Sequence, residues 1–317
     1  MKVVHVEAGA RLHFGFLDLN GSLGRMFGGI GMGIDEPKVS LDVCRSDTLQ
    51  AKGPDFERAL EYAQRFLDHF DIKDRAFINI ASAVPLHVGL GSGTRMALAV
   101  GKALAVLFDI DLSIKELAVV MGRSRRSSVG AVTFERGGFV LDGGHKKGPK
   151  GDFPPLLFHA LLPTEWTFVV AVPMSLKGAS GAEEEQKFKA LSIHEELSSK
   201  VCRLTLMKLL PSIVERDVAA FGEAITEIQD LVGSCFSSLQ GGKFHSALSQ
   251  RIACLMKGEG ALGIGQSSWG PAVYGITADP AKAQAVCGRL KDSFGEETLI
   301  LTASCAQDGA NVCVRED

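Results

Sequence analysis

The sequence has no long hydrophobic run, no cysteine pair at metal-ligand spacing and no large excess of charge of either sign. Each absence removes a class of protein. Nowhere do about 18 apolar residues follow one another, the length a membrane helix needs, so no membrane span or membrane partner is expected. The opening residues, MKVVHVEAGARLHFG, alternate like a strand and lack the apolar core of a signal peptide. With 34 Lys and Arg against 37 Asp and Glu the net charge is −3, which gives no support for a nucleic-acid partner. The seven cysteines (Cys44, Cys202, Cys235, Cys254, Cys287, Cys305 and Cys313) are scattered, odd in number and without a CxxC pair. They read as reduced, mostly buried thiols of a cytoplasmic protein. No two Cys or His residues fall at ligand spacing within a loop, so a zinc site is not expected. There is no internal repeat and no low-complexity tract.

What is present is an ordinary globular composition, 46% apolar and 22% charged over 317 residues, long enough for two domains. Val3 to Gly9 reads as a strand, followed by a glycine-rich stretch, and Val39 to Val43 as another. Phe56, Leu60, Ala63, Leu67 and Phe70 mark one face of a helix. Phe77 to Ile80 is a short strand. Met96, Val100, Ala103, Leu104 and Leu107 mark a helix crowded with small residues, and Ser113 with Glu116 forms a capping box. Gly137 to Leu141 reads as a strand, and GGHKKGPKGDFPP as the candidate domain boundary. Beyond it come the apolar strand TFVVAVP and a helical region from about Glu183. A helix marked from Val214 to Leu231 and one near Ala247 to Met256 follow. A strand AVYGITA, a helix from Pro280 to Phe294 and strands at Thr298 to Ala303 and Ala310 to Val314 close the chain. Strands and helices mix without a strict βαβ rhythm, an α+β pattern.

Between the strand at Phe77 and the small-residue helix stands PLHVGLGSGTRMA, Pro85 to Ala97. Gly89, Gly91 and Gly93 let the backbone approach a ligand closely. The first N–H groups of the following helix have no intrahelical acceptor and carry the positive end of its dipole. Ser92 and Thr94 add hydroxyls, and Arg95 adds a guanidinium fork. The loop is neither a Walker A nor a Rossmann fingerprint. A bare strand-to-helix turn is the plainer reading; the accumulation of Pro, Gly, Ser, Thr and Arg favours phosphate.

Pro85, Gly89, Leu90, Gly91 and Ser92 make this loop resemble the second motif of the GHMP kinases. The resemblance implies a two-domain α+β fold. Residues 1–160 would form the N-terminal α/β domain carrying the phosphate loop. Residues 161–317 would form a C-terminal ferredoxin-like α/β sandwich carrying GIGQSSWGP. Two departures stand against a kinase. The loop's second serine is Gly93, and when SSVGAVTFERGG is set on Gly137 and Gly138 the catalytic aspartate falls on Gly130. Glycine takes no proton from a substrate hydroxyl.

RLHFGFLDLNGSLGR with GGIG, PLHVGLGSGT, SSVGAVTFERGGFVLDGG and GIGQSSWGPAVYG together resemble the β-ribofuranosylaminobenzene 5'-phosphate synthase family. The four blocks run from Arg11 to Gly275. The resemblance implies condensation of phosphoribosyl pyrophosphate with 4-hydroxybenzoate or 4-aminobenzoate, releasing carbon dioxide and pyrophosphate, on the way to tetrahydromethanopterin-type cofactors. The loop would then anchor a pyrophosphate that leaves. Mg²⁺ is the expected cofactor, with Ser92 and Asp18 as candidate ligands.

Arg11, His13, Asp18 and Arg126 are the candidate catalytic residues. Arg11 and His13 share one strand face; the plainer readings are an exposed strand arginine and a satisfied core histidine. Asp18 suits Mg²⁺ or ribose hydroxyls, and DLNGS equally suits an Asx turn. In GRSRRSS, a solvated basic run or a clamp for the 5'-phosphate or the benzoate, Arg126 is preferred over Arg123 and Arg125. The expected binding residues are Arg25, Gly89, Leu90, Gly91, Ser92, Gly93, Thr94 and Arg95 on one side. Gly263, Gly265, Gln266, Ser267, Ser268 and Trp269 face them, with Trp269 either a ring-stacking wall or a core aromatic. A small-molecule kinase using ATP and a catalytically silent phospholigand-binding protein are the alternatives. A homodimer is left open.

Overall fold

The computed structural model describes residues 2–147, 153–179, 181–191 and 195–316. Its first sheet is built on two long antiparallel strands, β1 (Lys2–Asp18) and β2 (Arg25–Ser46). Along the start of β1 Val4, Val6 and Ala8 are buried and the residues between them are not, the alternation of a half-covered strand. From Leu12 to Phe16 every residue is buried, because this part of the strand is covered on both faces. β3 (Gln50–Lys52), β4 (Arg75–Ser82), β5 (Phe139–Asp142), β6 (His145–Lys146) and β7 (Leu156–Ala160) complete the sheet around β2.

Four helices pack on this sheet: α1 (Phe56–His69), α2 (Ser92–Leu107), α3 (Ile114–Val120) and α4 (Val129–Arg136). α2 is buried nearly all round, its alanines lying against β1 and β2 and Gly101 against Leu117 and Met121. α3 opens with the Ser113–Glu116 capping box.

The second sheet contains β8 (Thr167–Pro173), β9 (Leu262–Gln266), β10 (Val273–Thr277) and β11 (Thr298–Ser304). Its order is β11-β8-β10-β9 with every pair antiparallel, the arrangement of a ferredoxin-like sandwich. The connection from β8 to β9 is long and helical: α5 (Gly181–Ala190), α6 (Glu195–Leu204), a π-helical turn (Thr205–Leu209), α7 (Leu210–Glu215), α8 (Val218–Gln240) and α9 (Ala247–Gly258). α10 (Pro280–Phe294) joins α9 on one face of this sheet through Ile252, Met256, Val286 and Leu290.

The opposite face carries Phe168, Val170, Tyr274 and Ile276. They share one core with Leu12, Phe14 and Ile30 of the first sheet and with Phe221, Ile225 and Ile228 of α8. A closing strand, β12 (Asn311–Glu316), crosses back to pair with β1, Val4 opposite Val314. The two halves are therefore joined by a common core and by a strand exchange.

Among the described residues no helix is long and apolar enough to cross a membrane. All seven cysteines are free, but Cys305 alone is buried, while Cys202 and Cys254 are exposed. That corrects the expectation of mostly buried thiols: Cys202 and Cys254 stand on the outer faces of α6 and α9.

Candidate active site

The glycine loop joins β4 to α2 at the seam between the two sheets. His87, Gly89 and Gly91 all have positive φ, at 57°, 92° and 82°, so the chain turns sharply three times within five residues. It is stitched on both sides. The Arg11 N–H donates to the Leu90 carbonyl at 3.1 Å, and the Ala272 N–H donates to the Val88 carbonyl at 3.1 Å. The Ser267 hydroxyl donates to the Gly89 carbonyl at 2.6 Å and accepts from the His13 N–H at 3.0 Å. Gly89 must be glycine, since a Cβ there would run into the Ser267 carbonyl.

Gly91 is the N-cap of α2, and its carbonyl accepts from the N–H groups of Thr94 and Arg95 at 3.0 Å. The positive end of the helix opens into a cleft of about 260 Å³ lined by Arg11, Arg58, Tyr62, His87, the loop, Arg123, Ser268 and Trp269. Three guanidinium groups gather here from distant parts of the chain. Arg11 of β1 donates to the Gly89 carbonyl. Arg58 of α1 is held by the Asp55 carboxylate at 2.9 Å. Arg123 donates to the Thr94 hydroxyl at 3.1 Å and 3.2 Å. A Cβ on Gly93 would lie 3.4 Å from Arg123 Nη2, 3.6 Å from Arg58 Nη1 and 3.6 Å from the Tyr62 hydroxyl, so all three converge on the loop. No carboxylate lines the cleft among the described residues.

The field of these cations reaches their neighbours. Burial and then Arg11 hold the His13 imidazole well below its ordinary value, so it is neutral. Its Nδ1 accepts from the Gly15 N–H at 3.3 Å, which leaves the ring proton on Nε2. Burial, followed by Arg58 and Lys177, lowers His87 as well.

Several expected site residues do something else. Arg95 does not face the cleft. Its side chain is 1% exposed and donates to the carbonyls of Gly130 and Ala10, both at 2.9 Å, and to the Thr133 hydroxyl at 2.8 Å. Burial and Arg11 bring it down to about 9. Leu90 is fully buried in the core beneath the loop. Arg25 clamps the carbonyls of Gly143 and Gly144 at 2.7 Å and 2.8 Å. Asp18 closes an Asx turn on the N–H groups of Asn20 and Gly21 and accepts from the Ser198 hydroxyl. Gly263 and Gly265 allow β9 to lie against Gly222 and Gln229 of α8 and against β10. The Gln266 side chain donates to the Ser268 carbonyl at 3.0 Å, fixing the β9–β10 turn.

Gly91, Ser92, Gly93, Thr94, Arg11 and Ser268 do come together at the cleft, and Trp269 forms its edge. Arg126 lies apart, its guanidinium 4.5 Å above the ring of Phe188 on α5. Arg58, Tyr62 and His87 line the cleft without having been expected there, and of the arginines in GRSRRSS it is Arg123, not the expected Arg126, that does so. No local pattern marks Arg58 or Tyr62, because they reach the cleft only by the packing of α1.

Gly130, on α4, faces Thr94: a Cβ added there would meet the Thr94 methyl at 3.0 Å. A side chain at this position would start against Thr94, whose hydroxyl accepts from Arg123. Glycine supplies none.

A glycine loop at the start of a buried helix, next to a ferredoxin-like half, defines a GHMP kinase fold. Residues 56–136 match the GHMP kinases N terminal domain and residues 209–296 match the GHMP kinases C terminal family. Homoserine kinase from Cytophaga hutchinsonii superposes with a TM-score of 0.71 over 98% of this chain and 97% of its own, at 17% identity. Mevalonate diphosphate decarboxylase from Staphylococcus aureus gives 0.69 over 99% of both chains at 16% identity. At the level of sequence, two relatives are named β-ribofuranosylphenol 5'-phosphate synthase. The one from Methanothermobacter thermautotrophicus is 33% identical over 94% of this chain and 95% of its own. The one from Archaeoglobus fulgidus is 34% identical over 93% and 94%. The chain belongs to this family of enzymes.

Proposed function

We propose that the protein joins phosphoribosyl pyrophosphate to 4-hydroxybenzoate, releasing pyrophosphate and carbon dioxide to give β-ribofuranosylphenol 5'-phosphate, a step towards tetrahydromethanopterin-type cofactors. The observation that carries this reading is the cleft. Three arginines and a helix N-terminus surround the glycine loop, while glycine stands at the position that the kinase resemblance gives to the proton acceptor. Such a site holds a polyanion and lets it go. The relatives are named for a ribosylated phenol, which favours the hydroxy- over the aminobenzoate as acceptor.

The bond from ribose C1 to the pyrophosphate oxygen breaks with both electrons on oxygen. Arg11, Arg58, Arg123 and the first amides of α2 receive that charge from fixed positions, which avoids reorganisation as the charge develops. The ring carbon bearing the carboxylate supplies the electron pair for the new bond to C1, and the para hydroxyl, keeping its proton, shares the positive charge that the ring acquires. The bond to the carboxylate then breaks, its electrons restore the aromatic ring and neutralise that charge, and carbon dioxide leaves, so no proton has to be moved. No added nucleophile is consumed.

Mg²⁺ bound to the diphosphate would neutralise part of its charge. The residues present do not fit a protein-held divalent ion: arginines, hydroxyls and amides line the cleft, and Asp18 is engaged in its turn. Of the two expected ligands Ser92 alone is at the cleft, and no step above runs through the metal. The free thiols suit a reducing, cytoplasmic setting.

Ligand-dependent thermal protection tests the reading. A ligand at a hundredfold its Kd stabilises by about 2.7 kcal/mol. Phosphoribosyl pyrophosphate with Mg²⁺ is expected to raise Tm more than ATP at the same concentration. Strong protection by ATP with none by the ribosyl donor would return the protein to the kinases.

A further inference from the structure

Beside the anion cleft lies a second, aromatic chamber. Phe188 of α5 stands in its middle. Four rings meet Phe188 edge-on: Trp269 at 5.5 Å, Phe16 at 5.6 Å, Phe27 at 5.9 Å and Phe236 at 6.1 Å, with interplanar angles from 83° to 90°. The Arg126 guanidinium covers its face. A cavity of about 20 Å³ adjoins this group, lined by His13, Phe16, Phe236, Gln240 and Trp269 among others, and it shares Ser268 and Trp269 with the anion cleft. That volume holds a water molecule and no benzene ring. Two buried polar atoms of residues lining it, Trp269 Nε1 and Gln240 Oε1, have no hydrogen-bond partner among the described residues. Trp269 is 3% exposed. One is a donor and the other an acceptor, and burying either alone is costly.

The geometry points to this chamber as the acceptor subsite: 4-hydroxybenzoate takes the place now held by the Phe188 ring, its hydroxyl between Trp269 Nε1 and Gln240 Oε1 and its ring face under the Arg126 guanidinium. This rests on the functional reading above. A phenol hydroxyl accepts from the indole N–H and donates to the amide oxygen, which satisfies both atoms at once. An aryl amine donates readily but accepts poorly, its nitrogen lone pair being drawn into the ring. The chamber therefore selects hydroxy- over aminobenzoate. An electron-rich ring under Arg126 is also held more tightly than the phenyl group it displaces. Phe188 is a placeholder in this arrangement, and the arene enters as α5 gives way.

Steady-state kinetics with both substrates varied tests the assignment. Arg126→Gln is expected to raise KM for 4-hydroxybenzoate about tenfold or more, the effect of losing one desolvated cation–π contact, while KM for phosphoribosyl pyrophosphate stays within about twofold. Phe188→Ala is expected to lower the acceptor KM, and Trp269→Phe to erode the preference for hydroxy- over aminobenzoate. A larger rise in the donor KM on Arg126→Gln would make Arg126 a phosphate clamp and overturn the subsite. A raised acceptor KM on Phe188→Ala would make Phe188 a wall of the site and overturn the placeholder. If Trp269→Phe fails to fold, the other two variants still decide. Wild-type turnover in the same assay reports separately on the reaction itself, and its absence would remove both readings.

Discussion

Arg95 points inward from the first turn of α2 while Arg123 reaches Thr94 from outside the helix, and their surroundings separate a buried structural cation from one that lines the cleft. Arg95 is sealed in and holds two backbone carbonyls and Thr133, tying α2 to α4 and β1. Replacing it by leucine strands those acceptors, and each buried unsatisfied group costs about 1–3 kcal/mol. We expect Arg95→Leu to lower the denaturant midpoint markedly and donor KM little, whereas Arg123→Ala should lower kcat/KM roughly ten- to a hundredfold with little change in the midpoint. The reverse pattern would exchange their roles. His13 gives a pH signature. Its folded-state value is depressed, so below about pH 6.5 the unfolded chain takes up a proton that the folded chain refuses. The stability this contributes is complete above pH 6.5 and is lost as pH falls toward the folded value, at up to about 1.4 kcal/mol per pH unit. Urea titrations between pH 7 and pH 5 should show a shallower loss for His13→Gln than for the wild type. Equal slopes would mean that His13 protonates freely in the fold.

Elements whose code is local were legible in the sequence. Helix α10 runs from Pro280 to Phe294 as expected, with Asp279 capping its first amides, and the capping box of α3 is formed. Beyond the strand face of Arg11 and His13, the glycine-rich stretch after Gly9 was not legible as structure. Glycine has low strand propensity, yet β1 and β2 run straight through it, because its glycines are needed for close approach. A Cβ on Gly31 would press on Val129 of α4 at 2.8 Å. The glycine loop was recognised from its composition, but the direction of Arg95 was not, since a helix start fixes a backbone and not a side chain. The loop also carries a prediction. Gly91 has a φ of 82°, and a Cβ there would lie 2.9 Å from Arg11 Cγ. Gly91→Val therefore strains the backbone and displaces a cleft arginine together. Donor affinity measured by calorimetry should fall far more than overall stability. A folded variant with unchanged affinity would take this loop out of the site.

At the scale of the whole molecule, a net charge of −3 conceals a strongly cationic cleft, because Arg11, Arg58 and Arg123 are far apart in sequence and meet only through packing. The same holds for the junction of the two halves. β12 returns to the first sheet, and one core spans both sheets, so the loop after β4 and the turn after β9 are held in register. A boundary read from a Gly-, Lys- and Pro-rich loop has no means of showing that exchange. On the proposed reading this assembly binds a diphosphate beside an electron-rich ring and releases it without a base. The direct test supplies phosphoribosyl pyrophosphate with 4-hydroxybenzoate labelled in the carboxylate carbon and follows label and pyrophosphate together. The account predicts labelled carbon dioxide and pyrophosphate in equal amounts, a phenol product without label, and very slow reaction of benzoate itself. Label retained in the ribosylated product, or turnover with ATP in place of the ribosyl donor, would contradict it.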